Sequence, residues 1–589
     1  MHLTPLDWAI LIASLVFCFI IAAVYTRRAS KGTTEFFVSG RAMPWWLLGT
    51  SMVATTFSTD TPNLVTNLVR EKGVANNWVW WAFLLNGMLT VFFYARLWRR
   101  SGVLTDLEFY EIRYSGKSAA LVRGFRAIYL GLFFNCVIMA SVTLAAVKIG
   151  NIMFGWSRPA TVFWCAVFSV TFSILSGLWG VVVTDLVQFI MAMTGAVAAA
   201  YFSVKHVGGL SVLLANVSPQ TLNLVPDFGN WDLTLSILII PLTIQWWSVW
   251  YPGAEPGGGS YIAQRVLAAK DEKHAMGATL WFNVAHYALR PWPWILVALC
   301  SLIVYPDLDS IRQAFPHVSE ELIGHDIAYP AMLKFLPAGF MGIMVASLAA
   351  AYFSTIETHL NWGASYLVHD FYRRFIRPEA TERHYVAVSR IATALLMVVA
   401  AVLVFFLVTA RESFDLMLSI GAGTGLIYIL RWFWWRINAW SEIAAMISSF
   451  CVAVGLFVAK KRGVEIPTHL SLAATVAFTT VVWVIATYVT RPAEKEALLR
   501  FYRLVRPFGP GWAKIREESG VGPSPDSLPH CLLGWVLGCV LVYSALFGTG
   551  SFLYGKTAQG VVWLIAFLIS AAGLAWLLPR IFGAASDKK

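Results

Sequence analysis

Apolar runs of about twenty residues or more recur along the whole 589-residue chain. A helix needs roughly 20 predominantly apolar residues to cross the hydrocarbon core of a bilayer. The pattern therefore predicts an all-α polytopic membrane protein with about fifteen transmembrane helices. Their approximate spans are 6–26, 44–68, 76–98, 124–150, 158–178, 181–203, 234–262, 275–305, 328–370, 385–409, 413–435, 439–459, 468–490, 530–548 and 559–580.

The second of these spans turns polar in its middle. The stretch from Gly49 to Leu68 carries a run of hydroxyls with Asp60, Pro62 and Asn63 at the depth of the bilayer. Backbone groups freed near a proline need protein, water or a solute as partners, and an acidic side chain inside a membrane segment faces a cavity or a partner. We expect a broken helix here. The alternative is a helix that ends at Ser58 and leaves the polar residues at the outer surface.

The seventh span is also interrupted. Residues 251–259 read YPGAEPGGG, in which prolines remove backbone donors and glycines loosen the chain around Glu255. Two discontinuous helices five positions apart are typical of transporters built from inverted repeats, whose solute and ion sites lie at the interruptions. The alternative is an ordinary extracellular loop between two short helices.

The two breaks predict an inverted repeat of five plus five helices with peripheral helices around it. The expected segments are an N-terminal peripheral helix and cytoplasmic loop (1–43), a first repeat (44–203), an extracellular loop (204–233), a second repeat (234–436), peripheral helices (437–490), a basic cytoplasmic connector (491–529), and C-terminal peripheral helices with a tail (530–589).

Composition supports a membrane protein and sets its orientation. The chain is 58% hydrophobic and 13% charged, whereas soluble domains are about 25% charged. Its net charge of +12 comes mostly from short loops, a positive-inside pattern and not a nucleic-acid footprint. We expect a multi-pass protein of the plasma (cytoplasmic) membrane, with the N-terminus outside and the C-terminus inside. The run Lys460-Lys461-Arg462 opposes this orientation. The seven cysteines lack metal-ligand spacing.

Two stretches carry oxygen atoms suited to a hard cation. Near the first break, the carbonyls of Ala54 and Phe57 are three residues apart. In the ninth span, Ala351, Ser354 and Thr355 share one helix face at i, i+3 and i+4. One further carbonyl and two hydroxyls would complete a shell for Na⁺. On the residues alone, these hydroxyls equally suit bonds back to their own helix.

Several short motifs, in order, resemble the solute:sodium symporter family over roughly residues 1–440. They are Phe37-Val38-Ser39-Gly40-Arg41 before Trp45-Trp46, the Gly49–Ser58 helix, Glu108-Phe109 with Arg113-Tyr114, Thr184-Asp185, Gln264-Arg265, and Gly339 to Thr355 leading to Leu360-Asn361 and Asp370. The resemblance implies a LeuT-like fold and a Na⁺ site made by the carbonyls of Ala54, Phe57 and Ala351 with the hydroxyls of Ser354 and Thr355. It implies Na⁺ as the coupling ion.

Two acidic residues suggest a further site. Asp185 matches an acid near the inner exit of the cation in the family, and Glu357 stands where relatives often show a small polar residue. We hypothesise a second cation or proton site formed by Asp185 and Glu357. The alternative is that Asp185 caps a helix or pairs with an arginine, while Glu357 bonds a neighbouring hydroxyl.

The expected function is Na⁺-coupled import of a small organic solute by alternating access. Glu255 and the Pro/Gly run depart from the family's sugar and proline carriers, so solute contacts are predicted from the breaks. They are Asp60, Thr61, Asn63, Trp78, Trp246, Trp250, Glu255 and Tyr428. Two acids with no matching Lys or Arg at the breaks argue against an anion and favour a sugar, polyol, nucleoside-like or amine-bearing solute.

Other classes of protein remain alternatives at this point. A membrane enzyme such as an acyltransferase would need an intramembrane base, for which His286 is the attractive residue. A transporter-like sensor would need an appended signalling domain, and none is visible in the sequence. A channel would not need two broken helices. The expected partners are the solute, Na⁺ and the lipid bilayer, with no nucleic acid.

Overall fold

The computed structural model describes residues 3–29, 31–249, 255–407, 418, 421, 423–464 and 466–586. Within these residues, eleven helices are long and apolar enough to cross a membrane. Two shorter apolar helices, Arg158–Ile174 and Trp231–Thr243, accompany them. The prediction of an all-helical, multi-pass protein is confirmed, and the expected count of about fifteen spans is approximate.

The first break falls where the polar run predicts it. Helix α1 (Pro5–Ala29) precedes α2 (Trp45–Thr55), and α3 (Asp60–Lys72) continues beyond four residues that are not helical. Backbone N–H groups of Thr56 and Phe57 bond back to the carbonyls of Met52 and Ala54, which closes the end of α2. Because Pro62 lies in the first turn of α3, its missing N–H removes no helical hydrogen bond.

The remaining helices of the first repeat follow without interruption. They are α4 (Val74–Ser101), α5 (Gly116–Phe154), α6 (Arg158–Ile174) and α7 (Gly177–His206). Between α6 and α7, Gly177 has φ 55° and ψ −164°, a conformation that glycine adopts readily. This single residue separates the two helices that correspond to the predicted spans 158–178 and 181–203.

The second break is present as well. Helix α8 (Trp231–Thr243) ends well before α9 (Ser260–Ala268) begins. Gly257 and Gly258 between them have φ of 86° and 78°, values that exclude a continuous helix. Residues 250–254, which include Trp250, lie outside the described residues. The two interruptions therefore occur at both predicted places.

Two long helices complete the part of the second repeat that bears on the site. They are α10 (Glu272–Val304) and α11 (Phe340–Ile376), followed by α12 (Glu382–Val404). The predicted span 328–370 is too long at its start, because Gly339 with φ 84° separates a short helix from α11. The buried carboxylate of Asp7 accepts hydrogen bonds from the backbone N–H groups of Gly339 and Gly342, which fastens α1 to the start of α11.

Five further helices surround this core. They are α13 (Ala439–Lys461), α14 (Thr468–Val489), α15 (Lys495–Val505), α16 (Leu528–Leu553) and α17 (Thr557–Ser586). The amphipathic α15 lies within the connector, where its Ala497, Leu498 and Phe501 are buried. Its polar residues include the exposed Arg500.

The basic loops gather at one end of the molecule, which we call the basic face. Arg100 forms ion pairs with Glu272 and Asp526, and Arg123 pairs with Asp370. The contacts of Arg100 join the end of α4 and the start of α10 to the connector, and the contact of Arg123 joins α5 to α11. A one-sided distribution of positive charge is what the positive-inside pattern predicts. Residues 460–462 are the exception to this distribution. They lie at the far end of α13, about 33 Å from its first residue.

Candidate functional site

Helix α11 contacts the end of α2 through one hydroxyl. The Thr355 Oγ1–H group donates to the carbonyl of Thr55 at 2.8 Å and to the carbonyl of Ala351 at 3.0 Å. Ala54 and Thr355 are both buried. The structure thus brings the first break and the predicted face of α11 together. Carbonyls and hydroxyls are hard, neutral oxygens, so the residues present at this junction suit a monovalent alkali cation.

A buried carboxylate lies directly behind this junction. Asp185 accepts a hydrogen bond from Ser354 Oγ at 2.6 Å and another from the hydroxyl of Ser51. The guanidinium of Arg265 stands 3.6 Å from the same carboxylate and donates to Ser51 at 2.8 Å and to Thr358 at 2.7 Å. Asp185 and Arg265 are fully buried, so α2, α7, α9 and α11 meet in one polar network.

Glu357 lies three residues after Ser354 on α11. Its side chain is 2% exposed, and its Oε2 atom has no hydrogen-bond partner among the residues that the structure describes. It is near enough to Asp185 for the two carboxylates to interact electrostatically. An incompletely satisfied buried carboxylate is costly, so such a residue in a membrane helix is a candidate for cation or proton binding.

A cavity of about 110 Å³ opens beside the first break. One water needs roughly 10–15 Å³ on this scale, so the volume admits a small organic molecule. Helices α4, α9 and α10 enclose it together with residues of the break. Its lining is Thr56, Ser58, Asp60, Thr61, Leu64, Val65, Trp80, Phe83, Asn86, Gly87, Thr90, Tyr261, Ile262, Thr279, Phe282, Asn283, His286, Tyr287 and Arg290.

Arg290 is the cationic side chain in that lining. Its guanidinium donates to Thr56 Oγ1 at 3.2 Å and contacts His286 Nδ1 at 2.8 Å. It also packs over the rings of Phe57 and Trp294, with centroid distances of 5.7 Å and 5.2 Å. His286 in turn lies 3.0 Å from Thr56 Oγ1, so α10 is tied to the first break.

The predicted solute residues separate into groups. Asp60 and Thr61 line the cavity. Asn63 is buried on α3 without lining it, and neither polar atom of its amide has a partner among the described residues. Trp78 donates its Nε1–H to the carbonyl of Leu224 in the loop before α8. Trp246 lies against Trp247 and Trp535.

Glu255 and Tyr428 lie together in a different place. Glu255 pairs with Arg126 at 3.0 Å and with Arg431 at 3.3 Å, and both guanidinium groups lie over the ring of Tyr428. Arg431 also pairs with Glu442 at 3.5 Å. We call these five residues the inner charge cluster. None of them appears in the lining of the cavity, so the structure does not bring Glu255 to Asp60.

Sequence reasoning missed several residues of the site. Arg290, Ser51 and Thr358 were not among the candidates. Neither were Arg126, in the predicted span 124–150, and Arg431, at the end of the predicted span 413–435. A signal for Arg290 exists: it is a charged residue in the apolar span 275–305, and ionisable residues inside membrane spans are functional candidates by default. The contact of Ser51 with Asp185 has no sequence signal, because 134 residues separate them.

These features together define a class of protein. Two interrupted helices, a polar junction suited to an alkali cation and an adjoining cavity characterise a carrier that couples a solute to an ion. A model of the sodium:solute symporter family matches residues 36–449. The chain belongs to this family, and it has the LeuT-like fold of two inverted five-helix repeats with peripheral helices.

Individual relatives support the assignment. A sodium/glucose cotransporter of Vibrio parahaemolyticus is 24% identical over 469 residues, which cover 77% of this chain and 84% of the relative. The human sodium/myo-inositol cotransporter 2 is 25% identical over 483 residues, covering 77% and 70% respectively. A solved Na⁺-coupled sialic acid symporter has the same fold, with a TM-score of 0.65 at 18% identity, covering 83% of this chain and 99% of that chain.

Family membership bears on two of the earlier predictions, the coupling ion and the alternative of a membrane enzyme. Na⁺ is the coupling ion, as predicted. The interpretation as an acyltransferase with His286 as its base is wrong, because the family and the matching relatives are transporters. His286 instead lies beside Arg290 and Thr56 at the cavity.

Proposed function

We propose that the protein imports a small organic solute with Na⁺ by alternating access across the plasma (cytoplasmic) membrane. The predicted solute is a sugar, polyol, nucleoside-like or amine-bearing compound. The observation that carries the proposal is the hydrogen bond from Thr355 on α11 to the carbonyl of Thr55 at the first break. This hydrogen bond joins α11 to the first break. Both must bind the same ion if ion binding is to control the conformation of the break.

The proposed Na⁺ ligands are the carbonyls of Ala54, Phe57 and Ala351 with the hydroxyls of Ser354 and Thr355. When bound, Na⁺ supplies a positive charge that these neutral oxygens coordinate from two helices at once. Asp185 supports the site from behind, since it accepts a hydrogen bond from Ser354. Ion binding would therefore hold α2 against α11.

We place the solute in the cavity beside the break. Asp60 and Thr61 line it and are proposed to contact the solute directly. The remaining predicted contacts, Asn63, Trp78, Trp246, Trp250, Glu255 and Tyr428, stay predictions that require other conformations of the transport cycle. Alternating access moves the repeats relative to one another, so contacts of one state are not those of the next.

The driving force is sufficient with one ion. A tenfold Na⁺ gradient supplies about 1.4 kcal/mol, and a potential of about 100 mV adds about 2.3 kcal/mol per charge. Together they support roughly 400-fold accumulation of a neutral solute. With the N-terminus outside, the basic face is cytoplasmic, and the inner charge cluster lies on the inward path.

We also propose a second cation or proton site at Asp185 and Glu357. Asp185 contacts the hydroxyls of Ser51 and Ser354, and Glu357 has an oxygen with no partner among the described residues. Arg265 already compensates the charge of Asp185. Glu357 is therefore the carboxylate whose negative charge is uncompensated and can bind a cation.

The coupling site is tested by Na⁺ binding to the purified protein. We expect NaCl, but not choline chloride, to raise the melting temperature of the wild type. The double variant Ser354→Ala, Thr355→Ala should lose at least tenfold in Na⁺ affinity, because two ligands of the ion are removed. Proteoliposome uptake of a solute panel, with and without a Na⁺ gradient, then measures the coupling.

The matched control is Thr194→Ala with Ser448→Ala. Each of these hydroxyls donates back to its own helix, Thr194 to Ile190 and Ser448 to Ala444. This control should bind Na⁺ as the wild type does. Unchanged Na⁺ affinity in the Ser354, Thr355 variant would disprove the proposed coupling site.

A further inference from the structure

The cavity contains a guanidinium that forms no direct ion pair with the described residues. Arg290 is 0% exposed. Asp60, which lines the same cavity, attracts its guanidinium electrostatically, but no carboxylate of the residues described here lies within ion-pair distance of it. Its contacts are neutral: the carbonyl of Val53 at 3.3 Å, the hydroxyl of Thr56, and the ring of His286. Its Nε–H group has no acceptor within the described part of the chain. A buried charge without an ion-pair partner is strongly destabilising.

Other buried arginines of the core are satisfied by different means. Arg265 pairs with Asp185, and Arg126 pairs with Glu255. Arg113 donates to the carbonyls of Arg431, Trp434 and Trp435 and does not line the cavity. Arg290 differs from all three because it borders a space large enough for a ligand. A negatively charged ligand would therefore have room to bind beside Arg290.

The argument against an anionic solute does not hold in the structure. It rested on two acids at the breaks without a matching base. Glu255 is neutralised by Arg126 and Arg431 in the inner charge cluster, away from the cavity. The cavity itself contains one acid of the break, Asp60, and the guanidinium of Arg290.

We infer that the solute carries a carboxylate, which binds the guanidinium of Arg290. The inference rests on the proposed solute cavity, and it replaces the preference for a solute without negative charge by an acid, such as a sugar acid, a hydroxy acid or an amino acid. The free Nε–H of Arg290 would donate to the carboxylate, an interaction stronger than a neutral hydrogen bond. Asp60 and the side-chain carbonyl of Asn283, which also lacks a partner within the described residues, would accept hydroxyl or amine hydrogens of the same solute.

The test uses the full-length protein and pairs of compounds that differ in the acid group. The pairs are D-galacturonate with D-galactose, D-gluconate with D-glucitol, L-lactate with propane-1,2-diol, and glycine with glycinamide. Each is titrated in NaCl and in choline chloride while the melting temperature is measured. We expect at least one acid to stabilise the wild type in NaCl, with its counterpart that lacks the carboxylate tenfold or more weaker.

Variants assign the effect to Arg290. Arg290→Gln should weaken binding of the acid tenfold or more, because the charge-assisted contact is lost. Arg290→Lys keeps a point charge and should retain part of the affinity. Arg500→Gln, on the exposed surface of α15, is the matched control and should bind as the wild type does. Stabilisation by Na⁺ alone reports whether each variant is folded.

The outcomes separate this inference from the proposed function. Stabilisation by a neutral compound equal to that of its acid, an acid effect that survives Arg290→Gln, or no stabilisation by any acid overturns the inference. The proposed function fails by a different result, namely the absence of any Na⁺-dependent stabilisation or uptake. If the protein proved to carry only neutral solutes with Na⁺, the inference of a carboxylate solute would be refuted and the proposed symporter function would stand.

Discussion

At the level of single residues, charge compensation distinguishes the buried acids of this protein. Asp185 has two hydroxyl donors and Arg265, whereas Glu357 has an oxygen without a partner in the described part of the structure. Both side chains are buried on neighbouring helices. The difference predicts that Glu357, and not Asp185 alone, determines how many cations bind.

Glu357→Gln tests this directly. The substitution keeps the size of the side chain and removes its charge, so we expect fewer Na⁺ ions per protein. Binding of ²²Na⁺ to the purified protein measures the number, with Ser354→Ala, Thr355→Ala as the comparison for loss of the first ion. If the glutamine variant binds as many ions as the wild type, Glu357 is not a Na⁺ ligand.

At the level of elements, the two breaks have different surroundings. The first break borders the polar junction with α11 and the cavity. The second break contributes Glu255 to the inner charge cluster, where this residue joins α5 to the segment before α13. The cluster therefore fixes α9 relative to α5 through one carboxylate held between two arginines.

Glu255→Gln should release this connection. Removing one partner of a buried ion pair is destabilising by about 3–5 kcal/mol, and here it also leaves Arg126 beside Arg431. We expect faster backbone hydrogen–deuterium exchange in α9 and in the first turns of α5, which follows local opening. Exchange in α16 should stay as in the wild type.

Glu517→Gln, an exposed glutamate of the connector, is the matched control. It removes the same charge without a buried partner and should leave exchange unchanged throughout. Equal exchange in the Glu255 and Glu517 variants would show that the inner charge cluster does not hold α9 against α5.

At the level of the whole molecule, the peripheral helices pack closely on the core. Helix α16 lies against α4: Trp535 donates to the carbonyl of Leu85, and Tyr543 donates to the carbonyl of Trp81. A Cβ atom on Gly534 would lie 2.4 Å from the ring of Phe92, so only glycine fits there without movement. Close approach through small residues is a common means of packing helices in membranes.

Gly534→Leu should therefore lower the melting temperature, since overpacking is destabilising by about 1–3 kcal/mol. Gly455→Leu is the control, because nothing lies within 4 Å of a Cβ at that position of α13. The gain in melting temperature on adding NaCl should persist in both variants, since the proposed Na⁺ ligands lie at the first break and on α11 and none of them is on α16. A melting temperature for Gly534→Leu equal to that of Gly455→Leu would contradict the packing of α16.

The sequence by itself determined the features that depend on local composition. Apolar length predicted the membrane helices, and Pro, Gly and polar residues predicted both breaks, because these residues remove or weaken backbone hydrogen bonds wherever they occur. Helical spacing placed Ala351, Ser354 and Thr355 on one face. The excess of Lys and Arg in some of the short loops also predicted the orientation in the membrane, which stays a prediction.

The tertiary structure alone decided which charges meet. Glu255 looked like a solute ligand in the sequence, yet packing places it between Arg126 and Arg431, and Arg290 of α10 reaches the first break instead. Such contacts join residues more than a hundred positions apart. They depend on how whole helices pack and rotate against one another, which the local pattern of apolar and polar residues leaves open.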